Sequence, residues 1–128
     1  MTLPTDYSAR KLQQMWTYLT EYFPDSFEAE VNVAVVGNEQ HNKGEPLHWA
    51  REKSTDQMNT AFRHMWDHTT TGPLDTDGCY HLAKAIWRLK AELQLTIERE
   101  REDAAGLARR SLVARDCRYD NPIHYYST

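Results

Sequence analysis

Two alternating carboxylates, Asp75 and Asp77, precede His81 in the stretch DTDGCYH. Lys84 and Arg88 follow that histidine, so a helix beginning near His81 would carry all three side chains on one face. Carboxylate oxygens are the ligands that Mg²⁺ prefers, whereas lysine and arginine bind phosphate oxygens. The segment predicts either a site for a metal and a phosphorylated ligand or a helix cap followed by a solvated cationic face.

A second histidine pattern lies in RHMWDH, where His64 and His68 are separated by one helical turn. Histidines at this spacing can chelate a metal ion. Without the glutamate of the zinc-protease motif, the same spacing also fits a hydrogen-bonded or solvated pair near a helix end. Both alternatives stay open from sequence. His64 and His81 are the candidate proton shuttles.

The segment VGNEQHNKGEPLHW, residues 36–49, is polar and has no apolar period. It predicts an ordered loop that opens at Gly37 and contains the breakers Gly44 and Pro46. Folded over the helices, this loop would complete a basic pocket, in which Trp49 either stacks on a base or anchors the loop in the core. The residues predicted to contact a nucleotide or its phosphates are His41, Asn42, Trp49, Lys53, Arg63, Lys84 and Arg88.

Helical periodicity supplies the elements that position these groups. An apolar stripe predicts a first helix from about Ser8 to Tyr22, and Pro24 suits the first turn of a second. The run VNVAVVG fits that second helix or a short buried strand, and we favour helix because no neighbouring segment offers a strand to pair with.

The third and fourth helices carry most of the candidate residues. Ser54 and Gln57 have the spacing of a capping box, which predicts that Ser54 caps a third helix ending near His68. The fourth helix begins near DTDGCYH and is expected to run past Glu100. We therefore predict an all-α bundle of about four helices, with a long C-terminal helix and an ordered polar loop between helices two and three. Residues 1–110 would form one domain, followed by a polar tail over residues 111–128.

Composition limits the possible functions. Of the 128 residues, 15 are Lys or Arg and 19 are Asp or Glu, so the net charge of -4 argues against binding duplex nucleic acid. Two cysteines, Cys79 and Cys117, are too few for a disulfide framework. We expect no membrane partner, because no apolar run approaches the length of a membrane span and the first residues lack the apolar core of a signal peptide. We expect a reduced, cytoplasmic protein. Its aromatic content and its long last helix predict a homo-oligomer.

Taken in order, these motifs resemble a family of short, mostly bacteriophage proteins, the dATP/dGTP diphosphohydrolase-like proteins. The resemblance covers about residues 23–98, and the succession of motifs is more specific than any single one. Its elements are a Gly-x-x-x-His, a tryptophan, an Arg-His pair and an Asp-x-Asp-x-x-x-His. In this chain they fall on Gly37 and His41, on Trp49, on Arg63 and His64, and on Asp75, Asp77 and His81.

The resemblance implies a phage protein, in the cytoplasm of the infected host cell, that hydrolyses purine (deoxy)nucleoside triphosphates to monophosphate and pyrophosphate. In this enzyme hypothesis Asp75, Asp77 and Glu39 hold Mg²⁺, and His64, His81 and Asp77 are the catalytic group. Lys84 stands where many relatives have histidine, which favours phosphate binding over metal chemistry. The alternative is a non-catalytic protein without a cofactor that sequesters signalling nucleotides of host immunity. A structural adaptor is a third possibility.

Overall fold

The computed structural model describes residues 2–116, with side chains for residues 2–109. This part of the chain is mostly helical and contains no strand, which confirms the predicted all-α class with a long C-terminal helix. A π-helical turn over Tyr18–Tyr22 and a 3-10 turn over Arg51–Lys53 complete the regular structure. The α-helices are α1 (Tyr7–Leu12), α2 (Met15–Thr17), α3 (Pro24–His41), α4 (Gln57–Thr70) and α5 (His81–Asp116).

The predicted first helix is interrupted. Gln13 and Gln14 both have ψ near 66°, outside the helical region, so the chain breaks between α1 and α2. None of the residues of α1 or α2 is buried. A helix in a protein gains most of its stability from packing its apolar face, and this face lacks that support. The prediction of one continuous helix from Ser8 to Tyr22 is therefore wrong.

Helix α3 confirms the helical interpretation of VNVAVVG. It begins at Pro24, whose missing N–H needs no partner in the first turn of a helix. It also continues through Gly37 to His41, five residues further than expected. The backbone N–H of Asn42 donates to the carbonyl of Asn38 at 2.7 Å and extends the helical bonding. The polar loop therefore opens after His41 and not at Gly37.

The start of α4 corrects the predicted capping box. Asp56, not Ser54, precedes the first helical residue, and its side chain makes no capping bond. The Gln57 amide instead donates to the carbonyl of Ser54 at 2.9 Å, and the Ser54 hydroxyl accepts a bond from the Arg88 guanidinium. The Ser54 hydroxyl, which the sequence pattern predicted to cap α4, therefore bonds to α5 instead.

Packing divides the chain into two compact units, with the division between Leu89 and Lys90. Every residue of the predicted site belongs to the first unit. Helix α5 starts in the first unit and continues through residue 110 to Asp116 in the second. Residues 117–128, which include Cys117 and most of the predicted polar tail, lie outside the described residues.

The buried apolar side chains of the first unit are small. Larger apolar side chains are exposed, among them Phe62 and Trp66 on α4, each 61% accessible. Across residues 2–116, none of the helices has the length and hydropathy needed to cross a membrane. The buried apolar residues of the first unit are Ala61, Cys79, Ala83 and Ala85.

Candidate functional site

The segment before α5 is a tight turn that presents two carboxylates. The backbone N–H of Asp75 donates to the carbonyl of Cys79 at 2.8 Å, and that of Gly78 donates to the carbonyl of Asp75 at 3.0 Å. Gly78 has φ +81°, a conformation that strains other residues. Each carboxylate also accepts a backbone N–H, Asp75 from Thr76 at 2.7 Å and Asp77 from Cys79 at 3.0 Å. The turn therefore fixes both acids before the helix begins.

Lys84 lies between these two carboxylates. Its Nζ is 2.7 Å from Asp75 Oδ2 and 2.6 Å from Asp77 Oδ2, and all three side chains are at least three-quarters buried. Mg²⁺ needs oxygen ligands around a space that no ammonium group fills. Glu39, the third predicted ligand, is exposed on α3 and lies outside the pocket described below. Glu39, Asp75 and Asp77 thus do not fit the predicted resident Mg²⁺ site.

The ion pairs shift the acid–base properties of all three groups. The hydrogen bond from Lys84 lowers the pKa of Asp75 from 3.8 to about 2. For Asp77, burial favours a higher pKa, but the Lys84 and Cys79 hydrogen bonds outweigh it and the pKa is lowered. For Lys84, burial opposes the charge, yet the bonds to both carboxylates raise its pKa. All three groups are therefore charged at neutral pH.

His64 on α4 faces His81, the first residue of α5. Their Nδ1 atoms are 3.1 Å apart, and His81 Nδ1 lies 4.0 Å from Asp75 Oδ2. Burial, together with the charges of Lys84 and His81, lowers the pKa of His64. His68, one turn along α4, is not part of this group, and its buried Nδ1 has no hydrogen-bond partner among the described residues. Of the alternatives drawn from RHMWDH, the structure joins His64 to α5 and leaves His68 apart.

A cavity of about 620 Å³ lies beside these groups, within the first unit. Its wall is formed by the end of α3, the polar loop, His64 of α4, the turn before α5 and the first turns of α5. This volume is typical of sites for small organic ligands. Of the predicted site residues, the cavity is lined by His41, Asn42, Trp49, Lys53, His64, Asp77, Lys84 and Arg88.

The other predicted residues lie elsewhere. Asp75 contacts Lys84 and His81 contacts His64, but Asp75 and His81 do not line the cavity themselves. Arg63 is exposed on α4, where it donates to Thr60 at 2.9 Å and pairs with Asp56 at 3.8 Å. Arg63 therefore does not line the cavity, although its position in the sequence predicted a contact with the nucleotide.

A series of side-chain hydrogen bonds holds the polar loop against the end of α3. The Asn42 amide donates to Asn38 Oδ1 at 3.4 Å, and the Asn38 amide donates to the carbonyl of Glu45 at 3.0 Å. Lys53 then donates to Asn42 Oδ1 at 3.0 Å and to the carbonyl of His41 at 3.4 Å. Asn38 is buried and was missed from sequence, although its four-residue spacing to Asn42 was a usable signal.

Trp49 anchors the loop to α5. Its ring meets that of Trp87 edge to face, with centroids 6.0 Å apart, and Arg51 Cζ lies 4.3 Å from its centroid. Its indole N–H is buried and has no acceptor within the described part of the chain. Trp87, which also lines the cavity, was missed, although it lies three residues after Lys84 on the same helix face. Trp49 therefore anchors the loop, and the rings of Trp49 and Trp87 both line the cavity.

Arg88 reaches the cavity from α5 with neutral partners. Its guanidinium donates to the Ser54 hydroxyl and to Gln57 Oε1, the latter at 3.2 Å. Gln57 is only 2% exposed, so the arginine is held by a buried amide. Burial and the nearby charge of Arg63 lower the pKa of Arg88, and together they outweigh the opposing effect of Asp56.

No protein-family model matches this chain, and no curated protein or solved structure matches it either. The resemblance to the dATP/dGTP diphosphohydrolase-like proteins therefore remains a prediction from the motifs.

Proposed function

We propose that the cavity binds a purine (deoxy)nucleoside triphosphate and that the protein hydrolyses it to a monophosphate and pyrophosphate. One observation carries this proposal. A nucleotide-sized cavity brings two indole rings and two cations with neutral partners, Lys53 and Arg88, next to the His64–His81 contact. The motif order that resembles the phage family points to the same class of substrate.

Lys53 and Arg88 are the groups we assign to the phosphates. Lys84 forms ion pairs with Asp75 and Asp77. Lys53 and Arg88 instead donate hydrogen bonds to amide, hydroxyl and carbonyl oxygens. A cation whose hydrogen bonds go to neutral groups keeps its charge for an incoming anion. Mg²⁺ then enters with the triphosphate, as part of the substrate.

Trp49 and Trp87 supply the apolar wall for the base. Aromatic rings give a purine a flat contact surface at small entropic cost. Both rings line the cavity, so either can contact a base that enters it.

His64 is the residue we assign to water activation. If its Nδ1–H donates to His81, its Nε2 is left as an acceptor for a proton from water. Asp75, 4.0 Å from His81 Nδ1, stabilises the positive charge that develops on the histidine pair. Asp77 acts indirectly in this arrangement, by sharing Lys84 with Asp75.

A second candidate function is sequestration of a signalling nucleotide without turnover. The observation that favours it is Lys84, which neutralises both carboxylates that the enzyme hypothesis assigned to Mg²⁺. Binding requires the cations and the aromatic wall but no water activation.

One experiment separates the two functions. Chelator-treated protein is incubated with a panel of (deoxy)nucleotides and cyclic dinucleotides, with and without Mg²⁺, and both the supernatant and the heat-denatured protein are analysed by chromatography. Monophosphate and pyrophosphate in the supernatant would support hydrolysis. An unchanged nucleotide recovered from the protein would support sequestration. If no nucleotide is consumed or recovered, both candidates are wrong.

We also propose that the protein is a homo-oligomer in which a second copy covers α4. Met58, Phe62 and Trp66 form a stripe on this helix, and each is about 60% exposed. The apolar side chains buried in the first unit are small, so many large apolar side chains of the described residues are left exposed to water. A two-fold axis would place the same stripe of the partner against it.

The oligomer prediction is tested with Phe62→Glu combined with Trp66→Glu. We expect the dissociation constant to rise at least roughly a hundredfold, because each charge replaces an aromatic contact in the interface. Analytical ultracentrifugation measures it. Phe62→Leu with Trp66→Leu keeps the stripe apolar and should preserve the assembly. An unmodified protein that sediments as a monomer at high concentration would contradict the proposal without any variant.

A further inference from the structure

Two imidazole nitrogens face each other at the start of α5. His64 and His81 have ring centroids 5.3 Å apart and planes inclined by 35°, with their Nδ1 atoms 3.1 Å apart. His81 is only 4% exposed, so its Nδ1 is removed from water and directed at two other side chains. Neutral imidazole nitrogens on neighbouring elements are the commonest metal ligands in proteins.

Asp75 provides a third donor. One ligand atom from each of His64, Asp75 and His81 lies within 4.8 Å of the other two. An ion bound tetrahedrally at Zn–N distances needs ligand atoms separated by roughly 3.4 Å. The observed separations from His81 Nδ1, 3.1 Å to His64 Nδ1 and 4.0 Å to Asp75 Oδ2, lie on either side of that value. Side-chain rotation alone can close the difference.

We propose that His64, Asp75 and His81 bind a first-row transition metal ion, such as Zn²⁺, Co²⁺ or Mn²⁺. Two nitrogens and one carboxylate favour these ions over Mg²⁺, which prefers oxygen ligands alone. His64 also lines the cavity, so the ion would be adjacent to a bound ligand. The inference rests on the positions of three side chains. An ion on His64 Nδ1 would replace the Nδ1–H bond to His81 that the proposed hydrolysis uses, so the two roles belong to the metal-loaded and the metal-free protein, respectively.

Lys84 makes the site conditional on Asp77. In the structure Lys84 Nζ bonds to Asp75 Oδ2, which the ion would have to take over. Asp77 Oδ2, 2.6 Å from the same Nζ, can keep the lysine paired when Asp75 turns to the ion. We therefore assign Asp77 a positioning role in metal binding, distinct from that of a ligand.

The test is titration of the chelator-stripped full-length protein with Co²⁺, followed by its visible absorption and by competition with Zn²⁺. We expect a single Co²⁺ per chain, with the intense bands of a low-coordinate site. His64→Gln and Asp75→Asn should each weaken binding by roughly a hundredfold or more, and Asp77→Asn by roughly tenfold. His68→Gln, on the same helix but outside the cluster, should bind Co²⁺ as the unmodified protein does.

Absence of Co²⁺ binding to the unmodified protein would overturn the proposal. Binding by His64→Gln and Asp75→Asn as tight as that of the unmodified protein would also overturn it. Unweakened binding by Asp77→Asn would remove the positioning role. The ¹⁵N shifts of the histidine rings on Zn²⁺ addition need no variant, and only His64 and His81 should respond. Nucleotide is absent throughout, so failure of the metal site and failure of the proposed function are recorded in separate experiments.

Discussion

Replacing His64 by glutamine is expected to slow nucleotide hydrolysis by roughly 10²–10⁴-fold, the range typical of a lost general base. Glutamine retains a hydrogen-bonding amide of similar length but cannot accept a proton from water. The proposed phosphate ligands, Lys53 and Arg88, make their hydrogen bonds to other residues and not to His64, so the dissociation constant for the nucleotide should change little. Single-turnover product formation measures the first quantity, and calorimetric titration measures the second.

His68→Gln is the matched control, because it changes a histidine on the same helix one turn away from the cavity. It should hydrolyse nucleotide at the unmodified rate. Equal losses in both variants would show that packing of α4, and not the chemistry of His64, was disturbed. Full turnover by His64→Gln would refute the assignment of His64.

Lys84→Met is the second change with a large expected effect. It removes the cation shared by Asp75 and Asp77 and leaves two partly buried carboxylates close together. Removing one partner of a buried ion pair costs about 3–5 kcal/mol. Because these groups keep some access to solvent, we expect the free energy of unfolding to fall by about 3 kcal/mol. Urea unfolding of the metal-free protein at neutral pH measures it.

Lys43→Met provides the control for the lost charge. Lys43 is exposed in the polar loop and lies outside the cavity lining, so its replacement should change the unfolding free energy by less than about 0.5 kcal/mol. Stability of Lys84→Met within the same range would show that the bridge between the carboxylates contributes nothing.

The pH dependence of stability gives an independent signature of the same bridge. The pKa of Asp75 is about 2 in the folded protein, below its ordinary value of 3.8. The contribution of Asp75 to the free energy of unfolding is fully present above pH 3.8 and is lost as the pH falls from 3.8 towards 2. The raised pKa of Lys84 acts in the opposite sense, contributing below pH 10.5 and losing its effect above it.

In Lys84→Met both limbs of this profile should change. Without the ammonium group the pKa of Asp75 is no longer lowered by its largest cause, so the loss of stability between pH 3.8 and 2 should flatten. The alkaline loss due to Lys84 should disappear. Urea unfolding across both pH ranges, in the presence of a chelator, measures the two slopes, and unchanged slopes would contradict the bridge.

The amino-acid sequence alone determined the helical class and the faces of individual helices. Apolar spacing and Pro24 predicted α3, and the spacing of His81, Lys84 and Arg88 placed them together on α5. These predictions succeed because helical geometry relates residues three, four and seven apart, whatever the rest of the chain does. The interruption at Gln13 and the extension of α3 to His41 depend on packing, which periodicity does not report.

Tertiary structure decided which of the candidate groups meet. His64 faces His81 and not His68, Lys84 lies between Asp75 and Asp77, and the Ser54 hydroxyl bonds to Arg88 instead of capping α4. Each of these contacts joins separate elements, so its distance is set by how helices and turns pack and not by spacing within one helix. The residue types indicated phosphate and metal chemistry. Only the packing determined that Lys53 and Arg88 bond to neutral groups and that Lys84 pairs with the two carboxylates.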